Sequence, residues 1–153
     1  IRRSYGGATL RDMIYNYATI AKGYKPKAIV LYVENDLGSH KEGVNAVKCF
    51  DLFRIFIAKL KKEYPNTPLF VVSLKPSQHK ADQLKDQLIV NTLLEQNATE
   101  QQYTYIDITK VMYDEEGNLR TDIFKEDNLH MNAEGYKLWT AIIKPLLTQS
   151  VQN

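Results

Sequence analysis

Cysteine is scarce in this sequence, with Cys49 as the single copy among 153 residues. One cysteine excludes an internal disulfide, and it makes a structural zinc site a poor interpretation because such sites use several thiolate or imidazole ligands. Cys49 lies near Phe50 and Phe53 in a helical pattern, with no neighbour that would lower the pKa of its thiol. We therefore expect Cys49 to be buried and unreactive.

The sequence also lacks a marked charge imbalance and a long apolar run. Twenty basic residues against eighteen acidic ones give a net charge of +2, and no basic run alternates with aromatic residues as a nucleic-acid groove would require. No apolar stretch approaches the roughly 18 residues of a membrane span. We expect neither a nucleic-acid partner nor a membrane span. The compartment stays open, with secretion or a periplasmic location among the alternatives.

What the sequence does contain is an alternation of short apolar runs and longer helical patterns, typical of an α/β domain with a parallel sheet. A length of 153 residues, 44% of them hydrophobic, predicts a single domain over residues 1–153. The apolar runs predict strands at 28–33, 69–74 and 103–107, and the end of a strand at 1–5. The helical patterns predict helices at 10–21, 44–64, 81–96 and 133–147, with Val47 and Tyr136 among the inward-facing residues.

The most informative motif is Asp127-Asn128-Leu129-His130, in a polar loop before the last predicted helix. A carboxylate that orients an imidazole, and an imidazole that takes a proton from a hydroxyl, form two thirds of a nucleophilic triad. The other histidines, His40 and His79, lie in lysine-bearing loops without a carboxylate at a similar spacing. We interpret both as surface residues and His130 as a candidate catalytic base.

Two further segments are expected at the same edge of the sheet, where parallel folds keep their chemistry. Glycine in Gly6-Gly7-Ala8-Thr9 lets backbone approach a ligand, and an N–H at a helix start stabilises negative charge. Asn35, after the first apolar run, offers an uncharged NH₂ donor. Ordinary turns are the simpler alternative for each segment alone. We predict that Gly7, Asn35 and His130 surround one hollow.

Taken together, these motifs resemble the SGNH, or GDSL-type, ester hydrolase family over Ile1 to Leu147. Gly7, Val33-Glu34-Asn35-Asp36 and Asp127-x-x-His130 match three blocks of that family, and Ser73-Leu74-Lys75-Pro76-Ser77 resembles one of its subgroups. The resemblance implies a flavodoxin-like, three-layer α/β/α sandwich that uses no metal or cofactor. It also implies catalytic His130 and Asp127, an oxyanion hole with Gly7 and Asn35, and small acyl esters, including acetyl esters of carbohydrate or lipid, as substrates.

The sequence departs from the family pattern in two ways. The Gly-Asp-Ser block with the nucleophile is absent, and Val33 replaces the glycine of the third block, where a Cβ could crowd the acyl group or tilt Asn35. None of Ser4, Ser39, Ser73 and Ser77 lies in a tight strand-to-helix elbow. We therefore expect the nucleophilic serine outside this chain.

The absent block would also include a strand from the middle of the predicted sheet, because the flavodoxin-like order 2-1-3-4-5 puts the first strand between the second and third. Without that strand, we expect residues 1–153 neither to fold alone nor to be active. An upstream segment of about 30–50 residues, a second polypeptide, or a rearranged sheet are the three alternatives. A catalytically inactive SGNH-like binding or scaffold domain stays open beside the esterase. A signalling or flavin domain is disfavoured, since the sequence shows neither an acidic phospho-receiver pocket nor a hydroxyl-rich phosphate loop.

Overall fold

The fold is built on a parallel sheet of three strands. The computed structural model describes residues 1–3, 6–38 and 43–152, so Ser4, Tyr5, Ser39 and His40 lie outside the described residues. The strands are β1 (Ile29–Leu31), β2 (Leu69–Val72) and β3 (Thr104–Ile106), in the order β1-β2-β3, with both pairings parallel. This confirms the predicted α/β class and all three apolar runs.

Five α-helices and two 3₁₀ helices precede, connect or follow the strands in the described part of the chain. The α-helices are α1 (Leu10–Tyr15), α2 (Tyr17–Ala21), α3 (Ala46–Glu63), α4 (Leu84–Gln96) and α5 (Ala133–Gln152), and the 3₁₀ helices span Gln78–Gln83 and Thr109–Met112. None of these helices is both long and apolar enough to cross a membrane. The elements therefore follow the predicted alternation of strand and helix.

Helices cover both faces of the sheet because successive side chains of a strand point to opposite faces. Leu69 and Val71 of β2 belong to the core that contains the buried residues of α3 and α4. Phe70 and Val72 belong to a second core with Trp139 of α5. All four β2 residues are buried, so the sheet is the middle layer of the three-layer sandwich.

Four local predictions meet different outcomes. Ile1, next to two arginines, is 99% exposed and residues 1–3 form no strand, so the strand end predicted at 1–5 is wrong for these three residues. Val47 and Tyr136, 61% and 55% exposed, do not face the core as predicted, because each lies beside the buried stripe of its helix. Cys49 is buried as predicted, and burial raises the pKa of its thiol to about 12.

The first predicted helix is divided at Asn16 into α1 and α2. The Asn16 side-chain Nδ2 and backbone N both donate to the Asp12 carbonyl, at 3.0 and 2.9 Å. Such a local side-chain bond competes with the regular helix ladder. Thr9 caps α1 in a reciprocal capping box with Asp12.

The outer edge of β1 faces an open groove. In the described part of the chain, β1 pairs only with β2. A groove of about 450 Å³ runs beside it, lined by the consecutive residues Ala28, Ile29, Val30 and Leu31. Since neighbouring side chains point to opposite faces, four consecutive lining residues mean that the backbone edge itself faces the groove. Val30 is 43% exposed, which is unusual for a parallel strand.

Candidate active site

Asp127 and His130 are joined by a direct hydrogen bond in the loop before α5. His130 Nδ1 lies 2.7 Å from Asp127 Oδ2, while Asp127 Oδ1 accepts from the backbone N–H groups of Leu129 and His130 at 2.9 and 2.8 Å. The bond from the imidazole, followed by those from the two amides, holds the pKa of the Asp127 carboxyl well below its usual value. Both side chains are exposed, so the imidazole is accessible to a reacting group.

The backbone around His130 is fixed on both sides. Lys125 N–H donates to the His130 carbonyl at 2.8 Å, and Phe124 pairs with Met131 in an antiparallel bridge. Asn128 takes a left-handed conformation, with φ of 52°, which asparagine tolerates better than most residues. The loop is therefore a closed turn that presents the imidazole from a defined backbone.

Asn132 and Gly135 then connect this turn to α5. The Asn132 side chain accepts from Gly135 N–H at 3.0 Å and donates to the Asp122 and Phe124 carbonyls. A Cβ on Gly135 would lie 2.5 Å from the Ile123 carbonyl oxygen. Glycine at this position allows the helix start to approach the turn closely.

Asn35 lies against the glycine segment that precedes α1. Its Nδ2 donates to the Ala8 carbonyl at 3.1 Å, next to Gly7, which has a φ of 78° that suits glycine. The neighbouring Asp36 is buried and accepts from Leu10 N–H at 2.7 Å. Burial raises the pKa of the Asp36 carboxyl, against the opposing effects of Leu10 and Arg11. The two segments singled out in the sequence therefore contact each other.

A largely buried charge network, which the sequence analysis missed, lies between Asn35 and the loop that carries His130. Lys75 Nζ donates to the Leu129 carbonyl at 2.7 Å and lies 3.5 Å from the Glu34 carboxylate. Lys80 Nζ lies 3.9 Å from the same carboxylate, which also accepts from the Tyr32 hydroxyl at 2.5 Å. Burial lowers the pKa of the Lys75 ammonium and Glu34 acts in the opposite direction. The available signal was a lysine three residues after the end of an apolar strand.

The network links the two halves of the candidate site. Glu34 adjoins Asn35 in the chain, Lys75 reaches the residue before His130, and His79 N–H donates to the Asn128 carbonyl at 3.3 Å. Among the described residues, no hydrogen bond joins His130 directly to Asn35 or Gly7. The His79 side chain is exposed, in line with its interpretation as a surface residue.

The sequence itself was then compared with known proteins. The profile of the GDSL-like lipase/acylhydrolase family matches residues 1–138. The chain belongs to this family. No curated protein matches the sequence. Family membership makes the chain an ester-hydrolase homologue and accounts for the polar residues at the carboxyl ends of the strands.

Solved structures of the same fold agree with this family. A GDSL-like lipase from Bacteroides thetaiotaomicron superimposes with a TM-score of 0.76 at 18% identity, over 94% of this chain and 73% of that one. A carbohydrate esterase of family 3 from Talaromyces cellulolyticus gives a TM-score of 0.80 at 18% identity, over 97% and 70%. The lipase/acylhydrolase from Enterococcus faecalis gives 0.74 at 16% identity, over 94% and 72%. At these identities the likeness shows the fold.

Val33, which replaces a glycine of the GDSL-like family pattern, is buried in the core. It is 6% exposed and belongs to the core shared with Leu31 and Leu37. Asn35 keeps its contact with the Ala8 carbonyl two residues later. The effect of the Val33 side chain on an acyl group therefore stays a prediction.

Of the serines that the structure describes, Ser73 and Ser150 are hydrogen-bonded elsewhere, and Ser77 is buried with no hydrogen-bond partner for its Oγ. Ser73 is buried, and its Oγ accepts from Ile108 N–H at 3.0 Å. Ser77 is fully buried, and Ser150 lies in α5 with its Oγ bonded to the Leu147 carbonyl. None of the three is hydrogen-bonded to His130. The described residues also contain no group of three histidine, cysteine or acidic residues arranged to hold a metal ion.

Proposed function

We propose that this GDSL-like chain is the larger part of a serine ester hydrolase that acts on small acyl esters, including acetyl esters of carbohydrate or lipid. The proposal rests mainly on the 2.7 Å hydrogen bond between Asp127 and His130, in a fixed turn at the sheet edge. A carboxylate on Nδ1 orients an imidazole so that Nε2 is free to accept a proton. The carbohydrate esterase among the structural neighbours favours carbohydrate esters as the first substrates to test.

In the proposed reaction, His130 acts first as a base and then as an acid. A serine hydroxyl attacks the ester carbonyl while its proton passes to His130 Nε2, and the alcohol leaves with that proton. Water then attacks the acyl-enzyme by the same route and releases the acid. Asp127 holds the tautomer and stabilises the imidazolium. No metal or cofactor takes part in this sequence of steps.

The negative charge of the tetrahedral intermediate would be held by the Gly7 N–H and the Asn35 side chain. The Asn35 amide has two N–H bonds, so donating one to the Ala8 carbonyl leaves the second for an acyl oxygen. The Gly7 N–H lies in the adjoining turn, one residue away from that carbonyl. Losing one donor of this kind costs about 10²–10³-fold in rate.

The serine itself would be supplied at the open edge of β1. A strand that pairs with β1 would fill the 450 Å³ groove, cover Val30 and end beside Asn35, which follows β1 in the chain. Its source is either an upstream segment of the same polypeptide or a second chain. Residues 1–153 alone are then inactive, and full activity appears only when the strand-bearing segment is present.

A kinetic comparison tests this proposal. The full-length protein is assayed with p-nitrophenyl acetate, a longer acyl ester and an acetylated sugar. We expect turnover that falls by about 10⁴-fold or more in His130→Ala and is unchanged in His79→Ala, a matched control in an exposed position. A full-length protein that hydrolyses none of these esters would support the inactive binding or scaffold domain instead. An active wild type with an equally active His130→Ala variant would refute His130 as the base.

A further inference from the structure

Lys80 contacts the side chain of Asn35, the proposed oxyanion donor. It lies in the 3₁₀ helix Gln78–Gln83 after β2, and its ammonium is 3.2 Å from Asn35 Oδ1 and 3.1 Å from the Glu34 carbonyl. The Lys80 side chain is only 11% exposed. A lysine so little exposed, with its charge directed at an amide oxygen, is not an ordinary surface residue.

The two partners of the Asn35 side chain are complementary and fix its orientation. The ammonium of Lys80 can only donate, so it requires the amide oxygen, whereas the Ala8 carbonyl can only accept and requires the NH₂ group. A flipped amide would place two donors together on one side and two acceptors together on the other. Asn35 therefore has a single favourable orientation, in which its NH₂ group is on the Ala8 side.

A cation on the amide oxygen also changes the donor strength of the NH₂ group. Hydrogen bonds to charged groups are about twice as strong as neutral ones, and bonded groups polarise one another in a low-dielectric site. Withdrawing electron density through Oδ1 makes the N–H bonds better donors to a developing oxyanion. This advantage arises in the transition state and leaves substrate binding largely unchanged.

The Glu34 carboxylate helps to hold the Lys80 ammonium in place. This carboxylate lies within 4 Å of both Lys80 and Lys75, at 3.9 and 3.5 Å, and is itself only 14% exposed. Lys75 in turn holds the Leu129 carbonyl, next to His130. One carboxylate thus connects the cation on the oxyanion donor with the loop that carries the proposed base.

We propose that Lys80 is a positioning residue that orients and polarises the Asn35 amide for oxyanion stabilisation. This inference rests on the proposed esterase function. Replacing Lys80 with methionine is expected to lower kcat by about 10–100-fold, part of the value of one oxyanion donor, with KM changed little. Lys80→Arg, which keeps a cationic donor, is expected to restore most of the loss.

A double-mutant cycle in the full-length protein tests the inference. If Lys80 acts through Asn35, the Asn35→Ala/Lys80→Met enzyme is no slower than Asn35→Ala alone. Lys85→Met, an exposed lysine of α4, controls for the loss of one positive charge. Multiplicative losses in the double variant, or equal losses with arginine and methionine at position 80, would overturn the proposal.

A readout without turnover separates this inference from the proposed function. The Asn35 side-chain amide is observed by ¹H–¹⁵N NMR and assigned by its absence in Asn35→Ala. We expect its signals to shift in Lys80→Met and to stay in place in Lys85→Met. An unshifted Asn35 amide in a folded Lys80→Met variant refutes the contact even if the protein is an active esterase. A shifted amide in a protein without esterase activity would refute the proposed function alone.

Discussion

Replacing Asp127 with asparagine separates the orienting role of the carboxylate from its structural role. Asp127 accepts three hydrogen bonds, two from backbone N–H groups at 2.9 and 2.8 Å and one from His130 Nδ1 at 2.7 Å. Asparagine retains one oxygen, which can serve both backbone donors. Its NH₂ group then faces Nδ1 and requires that atom to be an acceptor. The proton of a neutral imidazole must therefore move to Nε2.

This shift of tautomer removes the base while the loop stays intact. Nε2 is the atom that accepts the serine proton in the proposed mechanism, so a proton already on it prevents that step. We expect kcat to fall by roughly 10⁴-fold, the loss typical of such a tautomer change in a triad. The urea midpoint at neutral pH should fall only slightly, by the small stability that an exposed pair contributes, because both backbone bonds remain.

Steady-state kinetics, urea unfolding and ¹⁵N NMR of the imidazole together check this result. Asp127→Ala is the matched control, since it removes all three hydrogen bonds and should disturb the loop as well as the tautomer. An asparagine variant within tenfold of wild-type kcat would refute the orienting role of Asp127. So would an imidazole that still carries its proton on Nδ1 in that variant.

Three further predictions concern stability and pH. Gly135→Ala should lower the free energy of unfolding by about 1–3 kcal/mol, because its Cβ would lie 2.5 Å from the Ile123 carbonyl oxygen; wild-type stability in urea would contradict this close approach. Phe53→Ala, at a fully buried position, should cost about 3–5 kcal/mol, whereas Leu88→Ala, 68% exposed, should cost little; similar urea midpoints would contradict the core assignment. The pKa of Asp127 in the folded protein is held below its usual value of about 3.9. As the pH falls, Asp127 is therefore protonated first in the unfolded chain. The stability that this carboxylate contributes to the folded protein is then lost progressively below about pH 5. Thermal unfolding of Asp127→Asn should therefore depend less on pH in this acid range than wild type does, and identical slopes would contradict it.

The strands and most helices follow from local patterns. The apolar run 69–74 predicts β2 because parallel strands are buried on both faces, and all four β2 residues are buried. The same kind of signal misleads when it is short, as at Ile1, where a single apolar residue has no face to bury. The apolar pattern did not predict the break at Asn16, because helical spacing continues across it. The break comes instead from the Asn16 side chain, which bonds to the Asp12 carbonyl.

The spacing of residues in the sequence predicts only part of the candidate site. Asp127 and His130 are three residues apart, so one turn brings them into contact. The contact of Asn35 with Ala8 depends on how α1 packs beside β1, across a separation of 27 residues. Burial of Lys75 depends on the Leu129 carbonyl, 54 residues away. A lysine in a loop pattern indicates exposure unless such distant partners are known.

Covalent labelling of the nucleophile tests the central claim most directly. The full-length protein is treated with a fluorophosphonate, digested and analysed by mass spectrometry, in parallel with His130→Ala. We predict one labelled serine, outside residues 1–153, whose labelling is greatly slowed without His130. Label on Ser73 or Ser77, or equally fast labelling in both proteins, would contradict an esterase in which His130 activates a serine delivered at the edge of β1.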